Sequence, residues 1–302
     1  MQLTTNTPQL VATFLNLSKA FDTIQHFTLL KKLHHYDDTT LYCSGPNIEH
    51  LMSNMISDLQ NIFNYMYFAV NSLQANASKT NYMIIYPNRN TARHTPLHIN
   101  NTNISQVKES TFLGITIDHK LTFQPHIKRI TNTISSGLFA LCQVKNMLPR
   151  RHLKPIYHAL IESHLNYGIT FWNTATKTHT QRLKVLQKKA LRIITHSDYN
   201  APSAPFLQEK ILTLDNLHKL QLQKLMYRIN HNNLPPALNT MFHQINILSG
   251  NPYDTRFRDT NPMPTRITKQ TFTHRSLIYQ GPILWNSLPR DTKQISTLKS
   301  FT

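Results

Sequence analysis

The sequence predicts an α+β fold in which helix predominates, and three observations carry that prediction. Apolar residues recur at spacings of three and four along most of the stretch from residue 125 to residue 229. Short β-rich runs are concentrated before residue 120. A hydrophobic share of 40% over 302 residues supports a packed core.

Taken in order, VATFLNL (11–17) is a short apolar run that predicts a buried strand. SKAFDTIQHFTLLKKL (18–33) turns helical, with Ser18 as N-cap and Phe21, Leu29, Leu30 and Leu33 apolar. DDTTLYC (37–43) is β-rich, and residues 48–66 predict a helix bearing Leu51, Met52, Met55, Leu59 and Ile62 on one face. Strands are predicted over 82–87 and 112–118, joined by a polar connection with a short strand at 97–99. Four helices follow. The first carries Ile127, Ile130, Ile134, Leu138 and Leu141 inside. The second, after a break at MLPRR, carries Leu153, Ile156, Leu160 and His164 and ends near Gly168. The third carries Leu183, Leu186, Ala190 and Ile193. The fourth, opened by Asp215, carries Leu217, Leu220, Leu225 and Ile229 and stops at NNLPP. Beyond about residue 241 the chain is rich in Pro, Thr and Arg, with strand-like pieces such as SLIYQGPILW. Boundaries are therefore placed at 1–120, 121–240 and 241–302.

The charge balance narrows the function. With 32 Lys and Arg against 14 Asp and Glu, the formal net charge is +18. Such a surplus suits a polyanion, because neutralised phosphates release counterions. Solubility alone needs only about 2–8 net charges. Only 6 glycines are present, and neither GxGxxG nor GxxxxGK[ST] occurs, which excludes the usual nucleotide-binding loops. No apolar run approaches the ~18 residues of a spanning helix, so no membrane partner is expected. Cys43 and Cys142 lack metal-ligand spacing, and the 17 histidines show no HExxH. MQLTTNTPQL lacks the basic start and apolar run of a signal peptide, so an intracellular location is expected.

Asp37-Asp38 looks like half of a metal site. Nucleotidyl transfer commonly uses two Mg²⁺ ions about 3.5–4 Å apart, held by clustered carboxylates. An Asp-Asp pair on a hairpin serves that role when a neighbouring strand presents another acid; otherwise such a pair is a turn or a helix cap.

The neighbours add weight to the metal reading as an ancestral role, while a helix cap or solvated turn stays open for what the pair does in this chain. FLNLSKAFDTIQHFTLLKKL resembles the first catalytic motif of the reverse transcriptases of non-LTR (LINE-type) retrotransposons, FLDLSKAFDTVNH…LLxKL. YDDTTLY resembles their (F/Y)ADDTTLY motif, and NSLQANASKTNYMII, with Lys79, resembles LxxNxxKTxxMxF. STFLGITID is similar to their palm–thumb junction, and the agreement continues through HLNYGITFW, LQKKALRIIT, NNLPPALN and GPILWNSLP. The resemblance implies an RNA-directed DNA polymerase that uses Mg²⁺, with a palm remnant, a helical thumb-like domain and a small irregular C-terminal domain. It also implies catalytic positions at 16, Asp37, Asp38 and Lys79.

Three departures stand against activity. The position of the metal-binding Asp of the first motif is Asn16, and Asp22 is not the usual ligand. An amide oxygen brings no negative charge to a hard cation. Only residues 23–36 separate Asp22 from Asp37, so the segment that normally floors the nucleotide pocket is missing. Tyr36 and His35 stand where the motif has a small residue and an aromatic one, as if distant pieces were joined. A helix rising about 1.5 Å per residue ends near His34 and leaves almost no chain to return Asp37 beside Asn16. The expectation is a truncated, inactive polymerase with no Mg²⁺ of its own.

Nucleic-acid binding is expected to persist, without sequence specificity and on both RNA and DNA. TQRLKVLQKKALRII places Lys184, Lys188 and Arg192 four apart, flanked by Arg182 and Lys189. They form either a phosphate-tracking stripe or a solvated polar face. Arg150 and Arg151 open another helix, where a positive helix end disfavours cations unless an external anion is present. The C-terminal stretch interleaves Arg256, Phe257, Arg258, Arg275, Tyr279 and Trp285, a composition suited to single strands, with Trp285 read as core. The competing reading is a non-enzymatic protein-interaction module built on the helical thumb.

Overall fold

The computed structural model describes residues 9–14, 40–69, 80–85, 96–99, 102–198, 210–234, 263, 273–295 and 297–301. They fall into two compact units, 1–126 and 127–302. Helix predominates over small sheets among the described residues, which is the α+β class predicted.

In the first unit, β1 (Gln9–Phe14) lies between β2 (Thr40–Gly45) and β3 (Asn81–Ile85), antiparallel to both. A short parallel strand, Ser105–Gln106, extends the sheet beside β3. Val11, Ala12 and Thr13 are buried, as expected of a strand with neighbours on both sides. β2 alternates, with Tyr42 and Ser44 exposed and Leu41 and Cys43 half-buried. Helix α1 (Ile48–Ala69) runs a little beyond its predicted end. Asn47 caps it, its Oδ1 accepting from the Glu49 N–H at 2.8 Å and the His50 N–H at 3.3 Å. Leu51, Met52, Met55 and Leu59 of α1 pack with Val11, Tyr82, Ile84, Leu97 and Ile104 to form the core of this unit. The helix predicted over 18–33 lies outside the described residues.

The strand predicted over 112–118 is instead half of a hairpin. Glu109–Phe112 pairs with Ile115–Asp118 around Leu113-Gly114, whose φ values are 45° and 74°. Two successive positive φ angles define the turn whose twist matches a hairpin. Gly114 takes that backbone freely, whereas Leu113 takes it at a cost and stays exposed. Leu113→Asn is expected to stabilise the unit by about 0.5–1 kcal/mol, read as a shift in urea midpoint.

The second unit is helical. The helix Gln124–Val144 (α2) runs into it and buries Ile127, Ile130, Ile134 and Leu141. Leu138 is only half-buried, and Gly137 takes the inner position, because a Cβ there would lie 2.9 Å from the Leu160 carbonyl oxygen. The next rod comprises α3 (Arg150–Tyr157), a π-helical turn at His158–Glu162 and Ser163–Asn166. Its buried residues are Leu153, Tyr157, Ile161 and Leu165, not the predicted Ile156, Leu160 and His164. Pro155 lacks an N–H, and the wider π turn that follows moves the inward face to a spacing of four. Gly168, with φ of 60°, ends the rod.

Helix α4 (Lys177–Thr195) buries Leu183, Leu186, Ala190, Leu191 and Ile194, while Ile193 is half-buried. Helix α5 (Leu214–Asn230) is capped by Thr213, whose Oγ1 accepts from the Asn216 N–H at 3.3 Å. It buries Leu214, Leu217, Leu222, Met226, Tyr227 and Ile229, leaving Leu220 and Leu225 half-buried. SLIYQGPILW is not strand-like. It forms helix α6 (Leu277–Asn286), despite Pro282 within it. Burial decides the matter: Trp285 packs with Met226, Tyr227, Ile229 and Phe301, and Gly281 lets α6 lie directly on Met226. Tyr227 donates its hydroxyl to the Ile295 carbonyl at 2.8 Å, tying the last segment to α5.

Candidate nucleic-acid interface

The first sheet contains the two strands that flank residues 15–39 in the sequence. β1 and β2 pair from Gln9↔Gly45 to Phe14↔Thr40. The strand that leads to Asn16 and the strand that follows Asp37-Asp38 are therefore antiparallel neighbours. Residues 15–39, which hold the predicted helix and the Asp pair, lie outside the described residues. Asn16, Asp37, Asp38 and Lys79 themselves lie outside the described residues. Among the described residues no group of three or more His, Cys, Asp or Glu side chains is placed to hold a metal ion.

The cations of α4 occupy its solvent side. At about 3.6 residues per turn, Lys184, Lys188 and Arg192 follow one slowly drifting row. Arg182 and Lys189, seven residues apart, form a second row across the exposed Val185. The two rows are not equally available. Lys184 Nζ donates to Asp215 Oδ2 at 2.7 Å, and Arg192 also has a partner within the chain. Arg182 and Lys188 are exposed, Lys189 is half-buried, and none of these three makes an ion pair with a described residue. Arg150 and Arg151 stand exposed on the first turn of α3, where Arg151 Nε donates to His152 Nε2 at 3.1 Å. Arg256 and Arg258 lie outside the described residues.

Two features escaped the sequence reading. Gln187 sits on the buried face of α4, among Leu183, Ala190 and Ile194. Its Nε2 donates to the Tyr157 hydroxyl and to the Leu212 carbonyl, each at 3.0 Å, and its Oε1 accepts from the Leu214 N–H at 2.9 Å. This amide joins α3, α4 and the start of α5, and so fixes the entry of the helix that carries Asp215. Burial pushes the Tyr157 phenol up, and the bond from Gln187 works against that shift. A polar residue at an apolar spacing position was the available signal.

His218 is the second. It is buried on α5, and its Nε2 has no hydrogen-bond partner among the described residues. Burial lowers its pKa from the ordinary 6.5 to about 4, against the opposing pull of Asp215. The unfolded chain therefore takes up a proton near pH 6.5 that the folded chain resists until about pH 4. Stability is full above pH 6.5 and falls through this window, by about 3 kcal/mol in total. Melting curves of the wild type and His218→Gln between pH 7 and 4.5 should show the steeper loss in the wild type.

No family model matches the chain, and no solved structure matches it. It is 32% identical over 107 residues to the probable RNA-directed DNA polymerase from transposon BS of Drosophila melanogaster, covering 34% of this chain and 12% of the relative. It is 25% identical over 127 residues to the probable RNA-directed DNA polymerase from transposon X-element of the same species, covering 41% and 14%. The RNA-directed DNA polymerase from mobile element jockey of Drosophila funebris is 30% identical over 100 residues, covering 32% and 11%. The matched stretches thus span little more than a tenth of the length of these curated relatives. Over that part of its sequence, the chain is a relative of the RNA-directed DNA polymerases of non-LTR, LINE-type retrotransposons.

Proposed function

We propose that this chain descends from a reverse transcriptase, no longer polymerises, and binds RNA and DNA without sequence specificity. The loss of polymerisation rests on the donor set. Position 16, Asp37 and Asp38 offer two carboxylates and one amide, and the first motif runs into the Asp pair without the segment that floors a nucleotide pocket. Two Mg²⁺ ions need oxygen ligands that together offset much of their charge, and this set falls one carboxylate short. The residues do not fit the pair of ions that the resemblance implies, and no chemical step is assigned to them.

Binding is supported by one observation above the rest: Arg182, Lys188 and Lys189 lie on the side of α4 opposite its apolar face, with no acid among the described residues to neutralise them. Cations spaced along a helix meet successive phosphates and read no bases. The test is the salt dependence of binding to a duplex before and after reversal of these three charges.

The reading as a protein-interaction module is favoured by one feature, the exposure of Phe139 and Met147 at 67% and 80%. Duplex binding that is weak and insensitive to the three reversals would favour it.

A further inference from the structure

A cleft on another side of α4 has a chemistry that the outer face does not use. It lies among α4, α5 and α6, with a volume of about 650 Å³. Sites for small ligands commonly span about 300–1,000 Å³. Its cations come from three elements: Lys177 and Lys184 from α4, Lys219 from α5, and Arg275 from the 3₁₀ turn Thr273–Arg275. Asp215 is the one acid among the lining residues, and it is committed to Lys184 at 2.7 Å. Lys177, Lys219 and Arg275 form no ion pair with any described residue.

Like charges around one cavity repel, and low-dielectric walls strengthen that field until an anion relieves it. The wall also supplies an aromatic ring. Tyr279 is half-exposed and held edge-on to the His274 ring, the centroids 4.4 Å apart and the planes at 62°. His218, buried and with Nε2 unpartnered among the described residues, lines the same cleft. Cations from several elements beside a fixed aromatic face are the groups that take a phosphate together with its base.

We propose that this cleft binds a nucleotide of single-stranded nucleic acid, its phosphate on Lys177, Lys219 and Arg275 and its base against Tyr279. The proposal rests on the nucleic-acid reading above and adds a second site to it. A duplex keeps its base faces stacked on one another and has none to offer Tyr279, so the two sites divide by strandedness.

The test uses the full chain, with fluorescein-labelled single-stranded RNA, an RNA–DNA hybrid of the same sequence, and AMP as a free nucleotide. The double variant Lys219→Glu/Arg275→Glu reverses two of the cleft's cations, exposed Lys219 and half-buried Arg275. It is expected to weaken single-strand binding by about tenfold or more and to leave hybrid binding within about twofold. Tyr279→Ala should cost about tenfold on the single strand, and Tyr279→Phe, which keeps the ring, should bind as the wild type does. Melting temperatures equal to that of the wild type confirm that the variants fold. Single-strand binding that survives both the double variant and Tyr279→Ala overturns the proposal, as does an equal loss on the hybrid. AMP bound by the wild type and lost from the double variant together with the single strand supports it. AMP lost while the strand is unaffected overturns it in favour of a free nucleotide. If the α4 reversals leave hybrid binding intact while the cleft variants still lose the single strand, the outer-face reading alone fails.

Discussion

Gln187→Ala is expected to lower the unfolding free energy by about 3 kcal/mol, the largest stability effect of any single substitution proposed for this chain. The wild-type amide satisfies three groups: the Tyr157 hydroxyl, the Leu212 carbonyl and the Leu214 N–H. Truncation leaves the Leu214 N–H and the Tyr157 hydroxyl buried with lost partners and opens a void between two helices. Each unsatisfied buried group costs about 1–3 kcal/mol, and Leu212 is exposed enough for water to replace its bond. A urea titration reads the loss as a lower midpoint with little change in slope. Function should suffer as well, because Gln187 fixes the start of α5 and with it Asp215 and Lys219. A midpoint within experimental error of the wild type would show that the three bonds are dispensable.

The triple reversal Arg182→Glu/Lys188→Glu/Lys189→Glu has the largest expected effect on binding. Each phosphate contact contributes about 0.7–0.9 to the slope of log affinity against log salt, so losing three should flatten the slope by roughly 2–3. Affinity for the duplex should fall by at least about tenfold at moderate salt, with the loss shrinking as salt rises. Reversing Lys184 should do less, because Asp215 already neutralises it. Binding curves at several salt concentrations decide the matter. An unchanged slope places the phosphate contacts elsewhere.

What could be read from the sequence follows physical lines. α1 was legible because its apolar residues repeat at helical spacing; the Asn47 cap at its start emerged only in the structure. The inner face of the rod after Pro149 was misread because a π turn alters the residue count per turn, which no α-helical periodicity foresees. SLIYQGPILW reads as strand-like, yet α6 forms because Gly281 admits Met226 and Trp285 is buried, a tertiary effect absent from local propensity. In the candidate interface, the spacing of the α4 cations was legible, but their availability was not. That Asp215 claims Lys184 depends on a contact between helices far apart in the chain. Gln187 and His218 were missed for the same reason, since burial beside distant elements gives each its role. Asn16 and the Asp37-Asp38 pair came from motif order alone, and they lie outside the described residues.

The account turns on the fate of the metal cage, and primer extension tests that most directly. The purified chain and its Asn16→Asp variant are each given a primed RNA template, deoxynucleotides and Mg²⁺, with binding of the primed template measured in parallel. Binding by both proteins without any extended product is the result predicted. Templated, Mg²⁺-dependent extension by the unaltered chain would contradict the account.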